Sequence, residues 1–132
     1  MKSVLIVEDE PSIRDTLVEL FEHTETSVVA ADSLESAMHE LARSVFDFIV
    51  SDIRLGGRRD GGLQVLGAAG LLSPKATIIM LTAFPDDDTR LAAQRLSAAY
   101  FLEKPVELMT IASIAARHGV PTAMLPAAAI ES

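Results

Sequence analysis

Five short apolar runs, separated by stretches with helical spacing, constrain this chain more than any other feature. Residues 4–7, 27–31, 48–50 and 77–81 are rich in β-branched side chains, and 99–102 is a weaker fifth run. None alternates apolar with polar residues. Each therefore reads as a strand covered on both faces, as in a parallel sheet. Between the first two runs, Ile13, Leu17, Leu20 and Phe21 recur at helical intervals, with Pro11 and Ser12 suited to a first turn. Asp32-Ser33-Leu34-Glu35 reads as a capping box opening a second helix, with Leu34, Met38, Leu41 and Ala42 inward. Leu63, Val65, Leu66 and Leu71 mark a third helix, diluted by glycine. Asp86-Asp87-Asp88 opens a fourth, carrying Leu91, Ala92 and Leu96, and favours its positive N-terminal end. Pro105 starts a fifth, with Leu108, Ile111, Ala112 and Ala115 spaced for burial, and Gly119 and Pro121 stop it. A strand–helix pair repeated five times predicts a doubly wound parallel sheet with right-handed crossovers and helices on both faces. The expected organisation is one domain over 1–119 and a tail or linker over 120–132.

Composition narrows the function classes. At 132 residues there is room for one domain. Hydrophobic residues make up 49 %, with seven glycines and six prolines, so a disordered chain is excluded. The absence of cysteine excludes disulfides and thiolate metal sites. There is no tryptophan and the aromatic share is 5 %, which is too little for a single-strand stacking platform. The formal charge is −8, and Arg58-Arg59 is the only close basic pair. Direct nucleic acid binding and attachment to an anionic membrane are therefore not expected. No apolar run approaches about 18 residues. Only four apolar residues lie between Met1-Lys2-Ser3 and Glu8-Asp9, too few for a signal peptide core. A soluble, cytoplasmic protein is expected.

Ligands in an open α/β sheet bind beyond the carboxyl ends of the strands. Glu8 and Asp9 follow the first run, Asp52 the third, Thr82 and Ala83 the fourth, and Lys104 and Pro105 the fifth. Three carboxylates, a hydroxyl and an ammonium thus converge on one edge. Clustered carboxylates repel by roughly 1–4 kcal/mol per pair, depending on local dielectric. A hard divalent cation such as Mg²⁺ relieves that repulsion through oxygen ligands. One carboxylate can then attack phosphorus, while lysine and metal neutralise charge on the equatorial oxygens.

Glu8-Asp9, Asp52, Thr82-Ala83 and Phe101-Leu102-Glu103-Lys104-Pro105, in this order after successive strands, resemble the receiver domain of two-component response regulators, of the chemotaxis-regulator type. The resemblance covers residues 1 to about 119 and implies a flavodoxin-like (βα)5 fold with strand order 2-1-3-4-5. It implies that Asp52 is the phosphoacceptor, with a histidine kinase or histidine phosphotransfer protein as donor. It implies Mg²⁺ held by Asp9, Asp52 and the backbone carbonyl of Arg54, with Glu8 acting through water. Lys104 becomes the phosphate counter-ion, Thr82 the switch hydroxyl and Phe101 the switch aromatic. The Lys104-Pro105 peptide is expected to be cis. Such a chain catalyses only its own phosphorylation and dephosphorylation. Its fourth helix, fifth strand and fifth helix would form an output face, with a homodimer as one use of it.

Some positions depart from the family pattern. Gly56 stands where proline often follows the phosphoacceptor by four, and the loop 56–62 is at least one residue longer than is usual in the family. Ser97 takes a place where glycine is common, and Phe101 lacks the hydroxyl of a frequent tyrosine.

Blander readings exist for each residue alone. Glu8-Asp9 could be a solvated turn, Asp52 a strand-end cap, Thr82 a loop cap, Lys104 a surface lysine and Phe101 plain core. The glycine loop lacks the Gly-Lys-Ser/Thr of a P-loop. His23, His39 and His118 read as surface residues on helices. The alternative function is a small α/β phosphotransfer or cofactor-binding enzyme with a Mg-dependent phosphate site. A flavodoxin-like cofactor site would carry hydroxyls and glycines after the first strand, and a dehalogenase-like phosphatase an Asp-x-Asp nucleophile there. Glu8-Asp9 fits neither.

Overall fold

The structure is a computed structural model that describes residues 1–58 and 60–124. Arg59 and the last eight positions of the expected tail lie outside the described residues. The element order is β1 (Lys2–Val7), α1 (Pro11–Leu20), β2 (Thr26–Ala31), α2 (Leu34–Arg43), β3 (Phe48–Asp52), α3 (Gly61–Leu72), β4 (Thr77–Thr82), α4 (Asp87–Arg95), β5 (Tyr100–Glu103) and α5 (Leu108–Arg117). The five strands form one parallel sheet in the order β2-β1-β3-β4-β5.

The lack of alternation in the strands has a direct cause. Leu5 and Val7 point into one core with Ile49, Met80 and the inner faces of α2 and α3. Val4 and Ile6 point into a second core with Phe48, Val50, Ile79 and residues of α1 and α5. The middles of β1, β3 and β4 are apolar on both faces because each face has its own helical layer. The central β3 is buried throughout, whereas the edge strands β2 and β5 are half-covered.

Helical spacing overstates the inward faces. Ile13, Met38, Ala42, Leu71, Leu91 and Leu96 are exposed. Ala37, Ala69 and Ala93 are buried, because small side chains let helices approach the sheet closely. Packing on α4 is especially light, since Ala93 is its single buried residue. The capping box of α2 sits one residue later than expected. Ser33 Oγ accepts from the Ser36 N–H at 3.1 Å, and Ser36 Oγ accepts from the Ser33 N–H at 3.1 Å. Asp86 caps α4 from the position just before its first residue, accepting from the Thr89 N–H at 2.8 Å. Pro105 does not start α5, which begins at Leu108 after Glu107. The Lys104-Pro105 peptide is cis.

Packing continues past Gly119. Val120, Pro121 and Thr122 are buried. Thr26 Oγ1 donates to the Pro121 carbonyl at 2.8 Å, and the Ala123 N–H donates to the Leu20 carbonyl at 2.8 Å. The segment from 120 to 123 thus lies on the domain, beside the end of α1.

Candidate functional site

The acidic site forms where β1 and β3 run side by side. Val7 pairs with Ser51, so Glu8 and Asp52 leave neighbouring strands at the same level. Ligand oxygens of Glu8, Asp9 and Asp52 all lie within 4.8 Å of one another. Glu8 and Asp52 are buried and Asp9 is exposed.

Lys104 reaches this cluster from the end of β5. Its N–H donates to the Thr82 carbonyl at 2.7 Å, which sets the lysine beside the end of β4. Its Nζ donates to Glu8 Oε1 at 2.7 Å and to Asp52 Oδ2 at 3.0 Å. Glu8 Oε2 accepts from the Glu10 N–H at 3.2 Å, so both Glu8 oxygens are engaged. Burial pushes the Glu8 carboxyl above its ordinary value. Lys104 counters that and the Asp52 charge adds to it. For Lys104, burial works against the charged form, but hydrogen bonds to Glu8 and Asp52 outweigh it and the ammonium is held above its ordinary value.

The glycine loop opens with a hydrogen-bonded turn. Leu55 and Arg58 exchange backbone hydrogen bonds at 3.1 and 2.9 Å. Gly56 and Gly57 between them have φ of 56° and 81°. Positive φ at both central residues is the signature of a type I′ turn, and glycine takes it without steric cost. The Gly56 N–H donates to Asp9 Oδ2 at 3.0 Å, which ties this turn to the acidic site.

Thr82 ends β4, buried, and its Oγ1 accepts from the Phe84 N–H at 3.0 Å. A cleft of about 410 Å³ beside it is lined by Ile53, Arg54, Thr82, Ala83, Phe84 and the start of α4. Arg54 lays its guanidinium 4.3 Å from the centre of the Phe84 ring. Phe101 is half-buried against the α2–α3 core, and the Arg90 guanidinium stands 4.9 Å from its ring centre. A larger groove of about 520 Å³ runs between α1 and α5, but its walls are mostly apolar and only Lys104 connects it to the carboxylates.

Glu8, Asp9, Asp52 and Lys104 are therefore brought together, with Thr82 beside them and Phe101 farther along β5. Two participants escaped the sequence reading. Gly62 allows α3 to begin against the end of β3, and its N–H donates to the Ile53 carbonyl at 2.7 Å. Arg14 grips the β1–α1 turn, donating from Nη1 to the Glu8 carbonyl at 3.1 Å. The run of glycines around Gly62 was the only sequence signal for the first, and nothing local marked the second. Of the histidines, His118 caps the end of α5 and His23 lies in the turn between α1 and β2, so neither is on a helix. His118 contacts Tyr100 OH at 3.0 Å and Thr77 Oγ1 at 3.3 Å.

Hard carboxylate oxygens at this separation suit a Mg²⁺ ion, and all three clustered side chains are of that kind. The set also has the parts of a phosphoryl-transfer site: an acidic nucleophile, a cation beside it and a hydroxyl at its rim.

A sequence profile of the response regulator receiver domain matches residues 4–116. The chain belongs to that family. The response regulator protein FleR of Pseudomonas aeruginosa is 33 % identical over 117 residues, 89 % of this chain and 24 % of FleR. The alginate biosynthesis transcriptional regulatory protein AlgB of Pseudomonas putida is 36 % identical over 102 residues, 77 % of this chain and 22 % of AlgB. The chain thus spans about a quarter of the length of these curated relatives. A crystal structure of a response regulator from Burkholderia pseudomallei superposes with a TM-score of 0.77 at 28 % identity, covering 87 % of this chain and 65 % of that one. The HemR receiver domain of Leptospira biflexa gives 0.73 at 28 % identity, covering 84 % and 88 %. The chain is a receiver domain homologous to two-component regulators, and the alternative of a cofactor-binding enzyme finds no support in these relatives. Among the described residues no helix is long and apolar enough to cross a membrane.

Proposed function

We propose that Asp52 accepts a phosphoryl group from a phosphohistidine, carried by a histidine kinase or a histidine phosphotransfer protein in the cytoplasm. The observation that carries this reading is the Lys104 ammonium bridging Glu8 and Asp52 at the rim of an acidic cluster. Lys104 occupies Asp52 Oδ2, and no described donor takes the other oxygen. That oxygen attacks phosphorus, the P–N bond breaks, and the imidazole leaves with the electron pair. Asp9, Asp52 and the Arg54 backbone carbonyl would hold Mg²⁺ directly, and Glu8, both of whose oxygens are engaged, would act through water. The ion supplies charge neutralisation at the phosphoryl oxygens. Lys104 stays as counter-ion, and Thr82 turns its hydroxyl toward a phosphoryl oxygen. The Burkholderia neighbour holds a phosphorylated aspartic acid and a calcium ion, which supports the same chemistry here.

Thr82 and Phe101 then act as the switch. Movement of Thr82 opens space beside α4 that the Phe101 ring enters. The face made by α4, β5 and α5 carries the change to an effector or a second copy, and its exposed Leu91, Leu96 and Met109 fit that use. The chain performs no other catalysis than this modification and its hydrolysis.

The test is incubation with acetyl phosphate and Mg²⁺ followed by intact mass. Wild type gains one phosphoryl mass and Asp52→Asn gains none. A gain that survives in Asp52→Asn removes Asp52 from the role.

A further inference from the structure

We propose that Arg14 is a positioning residue for the acidic site, holding the β1–α1 turn by its main chain so that the Glu8 and Asp9 carboxylates face a cation together. This rests on the reading of the site as a Mg²⁺ and phosphoryl site, and deepens it.

Arg14 lies in the first turns of α1, half-buried. Its Nη1 donates to the Glu8 carbonyl at 3.1 Å and, more weakly, to the Asp9 carbonyl at 3.5 Å. A guanidinium set next to Glu8, Asp9 and Glu10 has three carboxylates to choose from. Among the described residues it pairs with none of them. Its Nη1 turns to the two carbonyls instead. Those carbonyls belong to the residues whose side chains form two corners of the acidic cluster. Fixing them restricts the turn while the carboxylate oxygens remain available. The neighbouring contacts are local: the Arg14 N–H donates to the Glu10 carbonyl at 2.9 Å, and Ser12 Oγ to the Glu10 carboxylate at 3.0 Å. None of these reaches the Asp9 carbonyl.

Two effects of Arg14 on a bound cation have opposite signs. Its positive charge repels the ion, and its grip on the turn favours binding. Substitution separates them. Residues that orient metal ligands from behind typically contribute 10–100-fold in affinity. Calorimetric Mg²⁺ titration of the whole chain should show binding about tenfold weaker in Arg14→Ala than in wild type. Arg14→Lys, with its charge and one donor retained, should recover most of the loss. Amide hydrogen exchange at Asp9 and Glu10 without metal should quicken in Arg14→Ala and return toward wild type in Arg14→Lys. Unchanged or tighter Mg²⁺ binding in Arg14→Ala overturns the proposal, as does failure of Arg14→Lys to recover affinity. Failure of wild type to bind Mg²⁺ overturns the site reading and this proposal with it. Wild-type binding that Arg14→Ala leaves intact overturns this proposal alone.

Discussion

Gly62 stands against the backbone of Asp52. A Cβ built on Gly62 would collide with the Asp52 carbonyl oxygen and lie 2.6 Å from the Ile53 Cα. Both obstacles are main chain, so neither can rotate away. The start of α3 and the end of β3 are therefore locked at a spacing that only glycine permits.

Gly62→Ala should displace α3 from β3 and cost about 2–3 kcal/mol, the upper range for overpacking. Acetyl phosphate labelling should slow with it, because the strain falls on Asp52, the residue at which the reaction is proposed. Gly67 and Gly70 on the same helix have open space where a Cβ would go. Gly67→Ala and Gly70→Ala should each stabilise by roughly 0.5–1 kcal/mol. Urea unfolding of the three variants checks the contrast, and a neutral Gly62→Ala would contradict it.

Ser97 follows α4 with φ of 70°. A side chain in this left-handed region costs roughly 1–2 kcal/mol. Ser97→Gly should therefore raise stability by about 1 kcal/mol, net of the extra freedom glycine gains in the unfolded chain. The unfolding midpoint should rise with the denaturant slope unchanged.

Asp9 both faces the proposed ion and accepts from the Gly56 N–H. Asp9→Asn keeps an acceptor there and removes a charge. Its Mg²⁺ affinity should fall at least about tenfold, whereas metal-free stability should stay equal or rise by up to about 1 kcal/mol as repulsion with Glu8 and Asp52 is relieved. Calorimetry and unfolding in the presence of a chelator separate the two effects. Retained affinity would remove Asp9 from the ligand set.

Glu8 makes stability depend on pH. Its carboxyl titrates above 4.5 in the folded chain and near 4.5 when unfolded, because burial disfavours its charge. The folded state then holds the proton longer. The contribution is fully present below 4.5 and is lost as pH rises through the folded value. Lys104, also raised, contributes stability that is fully present below 10.5 and is lost at higher pH. In metal-free buffer, the stability difference between wild type and Glu8→Gln should shift against wild type as pH climbs above 4.5, then level off. A difference that does not change with pH would show that Glu8 is not held above its ordinary value.

Thr82 and Phe101 meet different surroundings before any phosphorylation. The Thr82 hydroxyl oxygen is engaged by the Phe84 N–H, and the Phe101 ring lies under Arg90. Beryllofluoride, a phosphoryl mimic, should shift backbone NMR signals from Thr82 through Leu108 more than those of α2. In Thr82→Ala the remote part should shrink while Mg²⁺ binding stays. A hydroxyl bond to a charged group contributes about 1.5–3 kcal/mol, so a partial shift of the population is expected rather than a complete one.

The strands, the order of elements and the residues at the strand ends were legible because they are local properties. A run of branched apolar residues is visible without its neighbours, and the parallel geometry puts the residue after each run on the same edge. That is why Glu8, Asp9, Asp52, Thr82 and Lys104 could be named from spacing and chemistry. Periodicity says which residues share a helical face, and it does not say what covers that face. Ile13, Leu91 and Leu96 fit the pattern yet stay exposed, whereas Ala37 and Ala93 do the burying. The partners of Gly62 and Arg14 were hidden for a related reason. Gly62 meets the backbone of a strand that precedes it, and Arg14 meets two carbonyl oxygens, which every residue type possesses. Likewise the Lys104 ammonium meets Glu8 across 96 positions of sequence. Side-chain identity specifies what a group can bind, but only the packed sheet and its helices decide which main-chain atoms and which charges come within reach.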